Sequence, residues 1–168
     1  MKFKICRRNQ KSICETPEQL LAMMSHIRYA DFDKLQSPLQ TFLSACGSCH
    51  DQTLFEFQEL SDMGLAPHAK FIMTVDDEGL GGETHSFVYY VSGDIYYWFE
   101  SAWEDMRGIR KYHSKAELLD AVMFAFGQRV PFDKLYIADF IPEEHTIGEE
   151  LDTFVDICMN SAEEYEIS

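Results

Sequence analysis

The chain reads as an α+β protein built on an antiparallel sheet, and three features point there. Helix-start signatures recur along it, β-patterned residues fill its middle, and strands do not alternate with helices as a parallel sheet requires. The order is helices first, then a meander of strands, with helices returning late.

Each element has a local cause. Thr16-Pro17-Glu18-Gln19 is a capping box with proline at the first helical position, which predicts a helix over roughly 17–29. Ser37-Pro38-Leu39-Gln40 repeats the signature and opens a shorter helix. Ser48 and Asp51 form another box, followed by Leu54, Phe57, Leu60 and a closing Gly64. His68 to Val75 then reads as a strand, and Asp76 to Glu83 as a loop. Thr84 to Val91, a turn at Ser92-Gly93-Asp94, and Ile95 to Phe99 make a β-hairpin. Ser114-Lys115-Ala116-Glu117 opens a helix that Gly127 closes, and Leu135 to Ile141 is a further strand. Thr146-Ile147-Gly148-Glu149 opens the last, acidic helix, about 146–165, with Ile147, Leu151, Phe154, Val155 and Cys158 at helical spacing.

Composition sets the function classes. At 168 residues and 46% apolar content, with thirteen Phe and eight Tyr, the chain predicts one folded domain over 1–168. A formal charge of −15 repels a polyanion, so nucleic acid is not an expected partner. No apolar run approaches the ~18 residues that span a bilayer, so no membrane is expected either. The start lacks the apolar stretch of a secretory signal, and Cys6, Cys14, Cys46, Cys49 and Cys158 are odd in number. They read as thiols in a reducing cytoplasm. The ends differ in charge: residues 1–13 carry five bases and no acid, whereas Pro142 to Ser168 carries nine acids and no Lys or Arg. Both read as solvated ends.

The informative segment is Cys46-Gly47-Ser48-Cys49-His50-Asp51-Gln52. Its capping box puts Cys49 at the first helical position, where unpaired N–H groups and the positive end of the helix dipole favour a thiolate. The same N–H groups suit an oxyanion formed when the sulfur attacks a carbonyl. Other chemistries fit parts of the pattern. C-x-x-C-H is a haem-attachment pattern, but one of exported proteins. C-x-x-C is also a redox pair, but it follows a strand in that setting, and here the preceding residues look helical. Zinc needs two more ligands, for which only scattered histidines such as His68 and His85 are at hand. No cofactor and no metal are expected.

A cysteine nucleophile needs a base and a group to orient it. Of His26, His50, His68, His85, His113 and His145, His50 follows Cys49 on the helix and points about 100° away. His85 instead opens a strongly β-patterned strand behind a glycine-rich loop. With Ser92-Gly93 as the turn, His85 faces Glu100 across the hairpin; with Gly93-Asp94 it faces Ala102. Tyr89, Tyr90, Tyr96, Tyr97, Trp98 and Trp103 are available to wall a groove, about half of them belonging to the core by strand alternation.

The ordered pieces Gly47-Ser48-Cys49-His50, Met63-Gly64-Leu65-Ala66-Pro67-His68-Ala69-Lys70, Glu83-Thr84-His85-Ser86-Phe87 and Trp98-Phe99-Glu100 resemble the transglutaminase-like superfamily. The resemblance covers about residues 40–112. It implies a papain-like core in which the Cys helix packs against an antiparallel sheet. It implies Cys49 as nucleophile, His85 as general base and Glu100 as orienting acid, acting on a peptide or protein amide through a thioester. Hydrolysis and transfer to an amine are both open. Two departures stand out: the family's acid is usually Asp, and the family commonly shows an aromatic after the His, as in His-Ala-Trp, where this chain has Ser86-Phe87. A non-catalytic interaction domain on the same fold is the alternative. Papain proper does not fit, since its His lies roughly 130 or more residues beyond the Cys and only 119 follow Cys49.

Overall fold

Thr16 accepts a hydrogen bond from the Gln19 N–H and Pro17 starts the first helix, α1 (Pro17–Met24). The computed structural model describes residues 12–76, 78–79, 81–130 and 132–166. Cys6 and the basic residues Lys2, Lys4, Arg7, Arg8 and Lys11 lie outside the described residues. In chain order there follow β1 (Arg28–Tyr29), α2 (Pro38–Ser44), β2 (Cys46–Gly47), α3 (Cys49–Asp62), β3 (Ala66–Val75), β4 (Gly81–Ser92) and β5 (Ile95–Glu100). β6 (Gly108–Tyr112), α4 (Lys115–Gly127), β7 (Lys134–Asp139), α5 (Leu151–Met159) and β8 (Glu163–Glu164) complete the fold. It is α+β, as expected, with an antiparallel sheet in the order β6-β5-β4-β3-β7-β8. No helix among the described residues is long and apolar enough to cross a membrane.

Two helix bounds need correction, and the hairpin's register is settled. The first helix ends at Met24, because Arg28 and Tyr29 are extended and pair in parallel with Cys46 and Gly47. The last helix begins at Leu151 and not near Thr146. Gly148 takes a left-handed φ of 80°, and the Glu149 carboxylate that would complete a capping box is held by His145 Nδ1 at 2.8 Å. The hairpin turns at Gly93-Asp94, pairing Ser92 with Ile95 and Val88 with Phe99, so His85 is not directly opposite Glu100. Gly108–Tyr112, lacking the apolar alternation of its neighbours, is nevertheless a strand, because the edge of β5 is left to pair with it.

The sheet is covered on both faces. Alternate residues Phe71, Val88, Tyr90 and Phe99 join Leu20, Met24, Leu54, Leu60 and Phe154 in one core under α1, α3 and α5. Their neighbours Ile72, Phe87, Tyr89 and Trp98 join Leu118, Val122, Met123 and Phe126 in a second core under α4. Residues 85–90 of β4 are buried throughout, which explains a sequence run with little polar alternation. Burying each large apolar side chain in these cores contributes roughly 1.5–3 kcal/mol.

α3 is held by unusually polar means. Ser48 and Asp51 form the reciprocal capping box, and Asp51 also accepts from the Gln36 N–H at 2.7 Å. A Cβ at Gly47 would lie 3.0 Å from both Asp51 Cβ and Thr41 Cγ2, so only glycine lets the chain pass here unstrained. The β4–β5 ladder stops at Val88 and Phe99. Beyond that point the first turns of α3 bond to both strands: His50 to Thr84 and Ser86, and Gln52 to Ser101.

Candidate functional site

The capping box sets Cys49 at the first residue of α3, as the sequence predicts. Its N–H and that of His50 lie in the helix's first turn, outside the helical hydrogen-bond ladder. Cys49 is 4% exposed, and it lines a cavity of about 330 Å³ together with Tyr29, His85, Trp103, Phe126 and Arg129. Of the six aromatics expected to wall a groove, Trp103 does so; Tyr89, Tyr90 and Trp98 are buried in the two cores.

His85 and Glu100 meet on the α4 side of the sheet, Nε2 to Oε2, at 3.0 Å. Both side chains are 2% exposed. The two are diagonal neighbours across the parting strands, and the extra methylene of a glutamate spans the offset. The second oxygen, Glu100 Oε1, accepts the Trp103 N–H at 3.0 Å. Cys49 and His85 line the same cavity, and each shifts the other's ionisation. The structure thus brings Cys49, His85 and Glu100 together.

A second imidazole reaches the same sulfur. His50 Nδ1 lies 3.8 Å from Cys49 Sγ and 2.7 Å from Ser86 Oγ, with Nε2 3.3 Å from Thr84 Oγ1. Helical spacing alone aims His50 away from Cys49. The ring is instead turned by Ser86 and Thr84, and it packs against Phe154 at 4.6 Å between centroids. Ser86, next to His85 in the sequence, serves this ring.

Charge follows from these contacts. Burial pushes the Cys49 thiol up, but the charges and hydrogen bonds of His50 and then His85 outweigh it and bring the thiol down to about 5. Burial works against a charged His85, yet the Glu100 carboxylate and the bond to Cys49 raise the imidazole to about 9. Between those values the stable form is a thiolate beside an imidazolium.

Trp103 covers the pair. Its ring stacks on His85 with centroids 3.8 Å apart and planes 14° from parallel. Arg129 lies over the Trp103 ring at 4.5 Å, and its Nη2 donates to both Asp105 carboxylate oxygens at 2.6 Å. Underneath, Gln52 donates to the Gly47 carbonyl at 2.9 Å, which fixes its amide and leaves Oε1 to accept from Ser101. Ser101 Oγ also touches Glu56 Oε1. One hydroxyl hydrogen cannot serve both acceptors, so Glu56 must carry a proton and donate it to Ser101. Burial holds the Glu56 carboxyl well above the usual range, against the Ser101 hydrogen bond, which works to lower it, and with the charges of Glu100 and Cys49 adding to the rise.

A separate Cys-His-Glu cluster, which the sequence did not single out, differs in character. Cys158 Sγ lies 3.9 Å from His145 Nε2, and His145 Nδ1 holds Glu149. Here burial and the charges of Glu149 and Glu144 push the thiol up to about 12, and Cys158 is 1% exposed. It is packing, not a nucleophile. His26 and His113 are exposed, and His68 stacks on Tyr89.

In comparison with known proteins, no family matches the chain and no curated protein matches it.

Proposed function

We propose that the chain is a cysteine acyl-transfer enzyme of transglutaminase-like type, acting on an amide or peptide bond through Cys49, His85 and Glu100. One observation carries this reading. A thiol at a helix start, brought down to about 5, lines a cavity beside an imidazole whose far nitrogen is held by a buried carboxylate.

The steps follow from the geometry. The Cys49 thiolate attacks the carbonyl carbon and a C–S bond forms, with the negative charge passing to the carbonyl oxygen. That oxygen sits where first-turn N–H groups of α3 can donate to it. As the C–N bond breaks, the His85 imidazolium gives its Nδ1 proton to the departing amine, leaving a thioester on Cys49. His85, now neutral, removes a proton from water or an acceptor amine as that nucleophile attacks the thioester, and the thiolate is restored. Glu100 keeps the ring's orientation and stabilises its charged form throughout. His50 stabilises the thiolate before attack.

Incubating the protein with an activated acyl ester and mapping the adduct by mass spectrometry tests the reading. An acyl group on Cys49 that accumulates and then turns over is expected in the wild type, with no adduct in Cys49→Ala. An acyl group distributed over several cysteines, and unchanged by His85→Ala, overturns it.

A further inference from the structure

Beside Cys49, His85 and Glu100 runs a buried chain of side-chain hydrogen bonds that the acyl-transfer steps do not use. Its members are Glu56, Ser101 and Gln52, none of them more than 3% exposed. Gln52 Nε2 donates to the Gly47 carbonyl at 2.9 Å, and Ser101 Oγ donates to Gln52 Oε1 at 3.0 Å. The Ser101 hydroxyl has one hydrogen, so Glu56 supplies the hydrogen between its own Oε1 and Ser101 Oγ. Every donor then points the same way, from Glu56 through Ser101 and Gln52 to Gly47. Bonds aligned in this manner polarise and strengthen one another.

Both ends of the chain lie next to the reacting groups. Gly47 stands just before the Ser48 cap, and Gln52 shares the start of α3 with Cys49. Ser101 follows Glu100 directly and precedes the Trp103 loop. Glu100 and Trp103 hold His85 by its edge and its face, at 3.0 Å and at 3.8 Å between centroids, and the Trp103 N–H holds Glu100 in turn. The ladder to β4 has already ended at Phe99, while β6 pairs with Glu100 from the other side. On the open side the Ser101 hydroxyl ties this segment to the helix that carries Cys49. A charged Glu56 would break the tie. Ser101 would turn its hydrogen to the carboxylate, Gln52 Oε1 would lose its donor, and a second negative charge would act on Glu100.

We infer that Glu56 is a positioning residue: as a proton donor to Ser101 it fixes Glu100 and Trp103 against His85, and so sets the alignment of His85 with Cys49. Calling that alignment catalytic rests on the acyl-transfer reading; the hold on His85 does not.

The full chain is compared with Glu56→Ala, Ser101→Ala and Glu56→Gln. The His85 ring, assigned with His85→Gln, is titrated by NMR, and turnover of an activated acyl ester is measured alongside. In the wild type the His85 midpoint should lie near pH 9. Each alanine variant cuts the chain, so the midpoint should fall by about one pH unit as Glu100 loses its alignment. In both, kcat should drop about tenfold with KM unchanged. Glu56→Gln, whose amide donates to Ser101, should restore the midpoint and kcat. Ser101→Ala removes a single oxygen and decides the matter if Glu56→Ala does not fold. A midpoint that stays near pH 9 in the alanine variants, or a loss that Glu56→Gln shares with them, overturns the inference. The titration needs no chemistry at sulfur. A falling midpoint in a chain whose Cys49 is inert leaves the hold on His85 standing and removes the acyl-transfer reading. A reactive Cys49 beside an unmoved midpoint removes the inference alone.

Discussion

His85 and Glu100 bond at 3.0 Å although neither is the other's partner on the strand ladder. The β4–β5 pairing ends at Val88 and Phe99, the strands part, and α3 bonds to both of them there. This parting lets a helix on one face of the sheet present its first residue to an imidazole directed to the other face. A regular ladder would have kept the sulfur and the ring on opposite sides.

The ionisation of Cys49 and His85 gives a first expected outcome. Thiolate absorbance, taken as wild type minus Cys49→Ala, should rise with a midpoint near pH 5. Acyl transfer should follow the same acid limb and fall again near pH 9 as His85 loses its proton. In His50→Gln the midpoint should move upward toward the ordinary thiol range while His85 still supports turnover.

Removing the base should be far more damaging than moving the thiol. His85→Ala should lower turnover by about 10²–10⁴, the usual contribution of a positioned acid–base group. Glu100→Gln should keep the hydrogen bond but lose the charge, so the alkaline limb should shift to lower pH together with the drop in turnover. A profile that keeps its limb near pH 9 in Glu100→Gln would contradict the role given to Glu100.

Trp103 acts on His85 through its ring and on Glu100 through its backbone, and only the ring is removable by mutation. Stacking and the Arg129 contact are worth about 0.5–2 kcal/mol each. Trp103→Ala should therefore cost about tenfold in turnover, and Trp103→Phe less. Rescue by Phe, read as kcat, separates the stacking role from loss of fold.

Much of this was legible in the sequence, for identifiable reasons. The caps at Thr16, Ser37 and Ser48 are local chemistry, and each placed its helix start correctly, although the box expected at Thr16 is only half made, its Gln19 side chain accepting from Glu15 N–H. The position of Cys49 follows from the same local chemistry. Elements whose existence depends on distant partners were not legible. β6 exists because β5 has an edge to fill, and α5 starts late because Glu149 is drawn to His145. His50 was misjudged because Ser86 and Thr84, more than thirty residues away, turn its ring.

The proton on Glu56 makes a prediction about stability. The folded chain holds a proton there that the unfolded chain releases above the usual carboxylate range, so this group makes stability fall as pH rises. Glu56→Gln keeps a donor for Ser101 without the titration. In urea unfolding its stability should match the wild type near pH 5 and exceed it increasingly at pH 7 and 8. Glu56→Ala, which leaves the Ser101 hydroxyl without its Glu56 partner, should lose about 1–3 kcal/mol.

The most direct measurement is iodoacetamide labelling at pH 6 with each cysteine mapped, in the wild type and in His85→Ala. A thiol near 5 holds about three-hundredfold more thiolate at that pH than an ordinary one, and lower intrinsic nucleophilicity offsets part of this, leaving about a tenfold advantage. Cys49 should be labelled first, about tenfold faster than Cys14 or the half-buried Cys46, and should lose that lead in His85→Ala. Labelling of Cys49 no faster than Cys46, or a lead untouched by His85→Ala, would contradict the account at its centre.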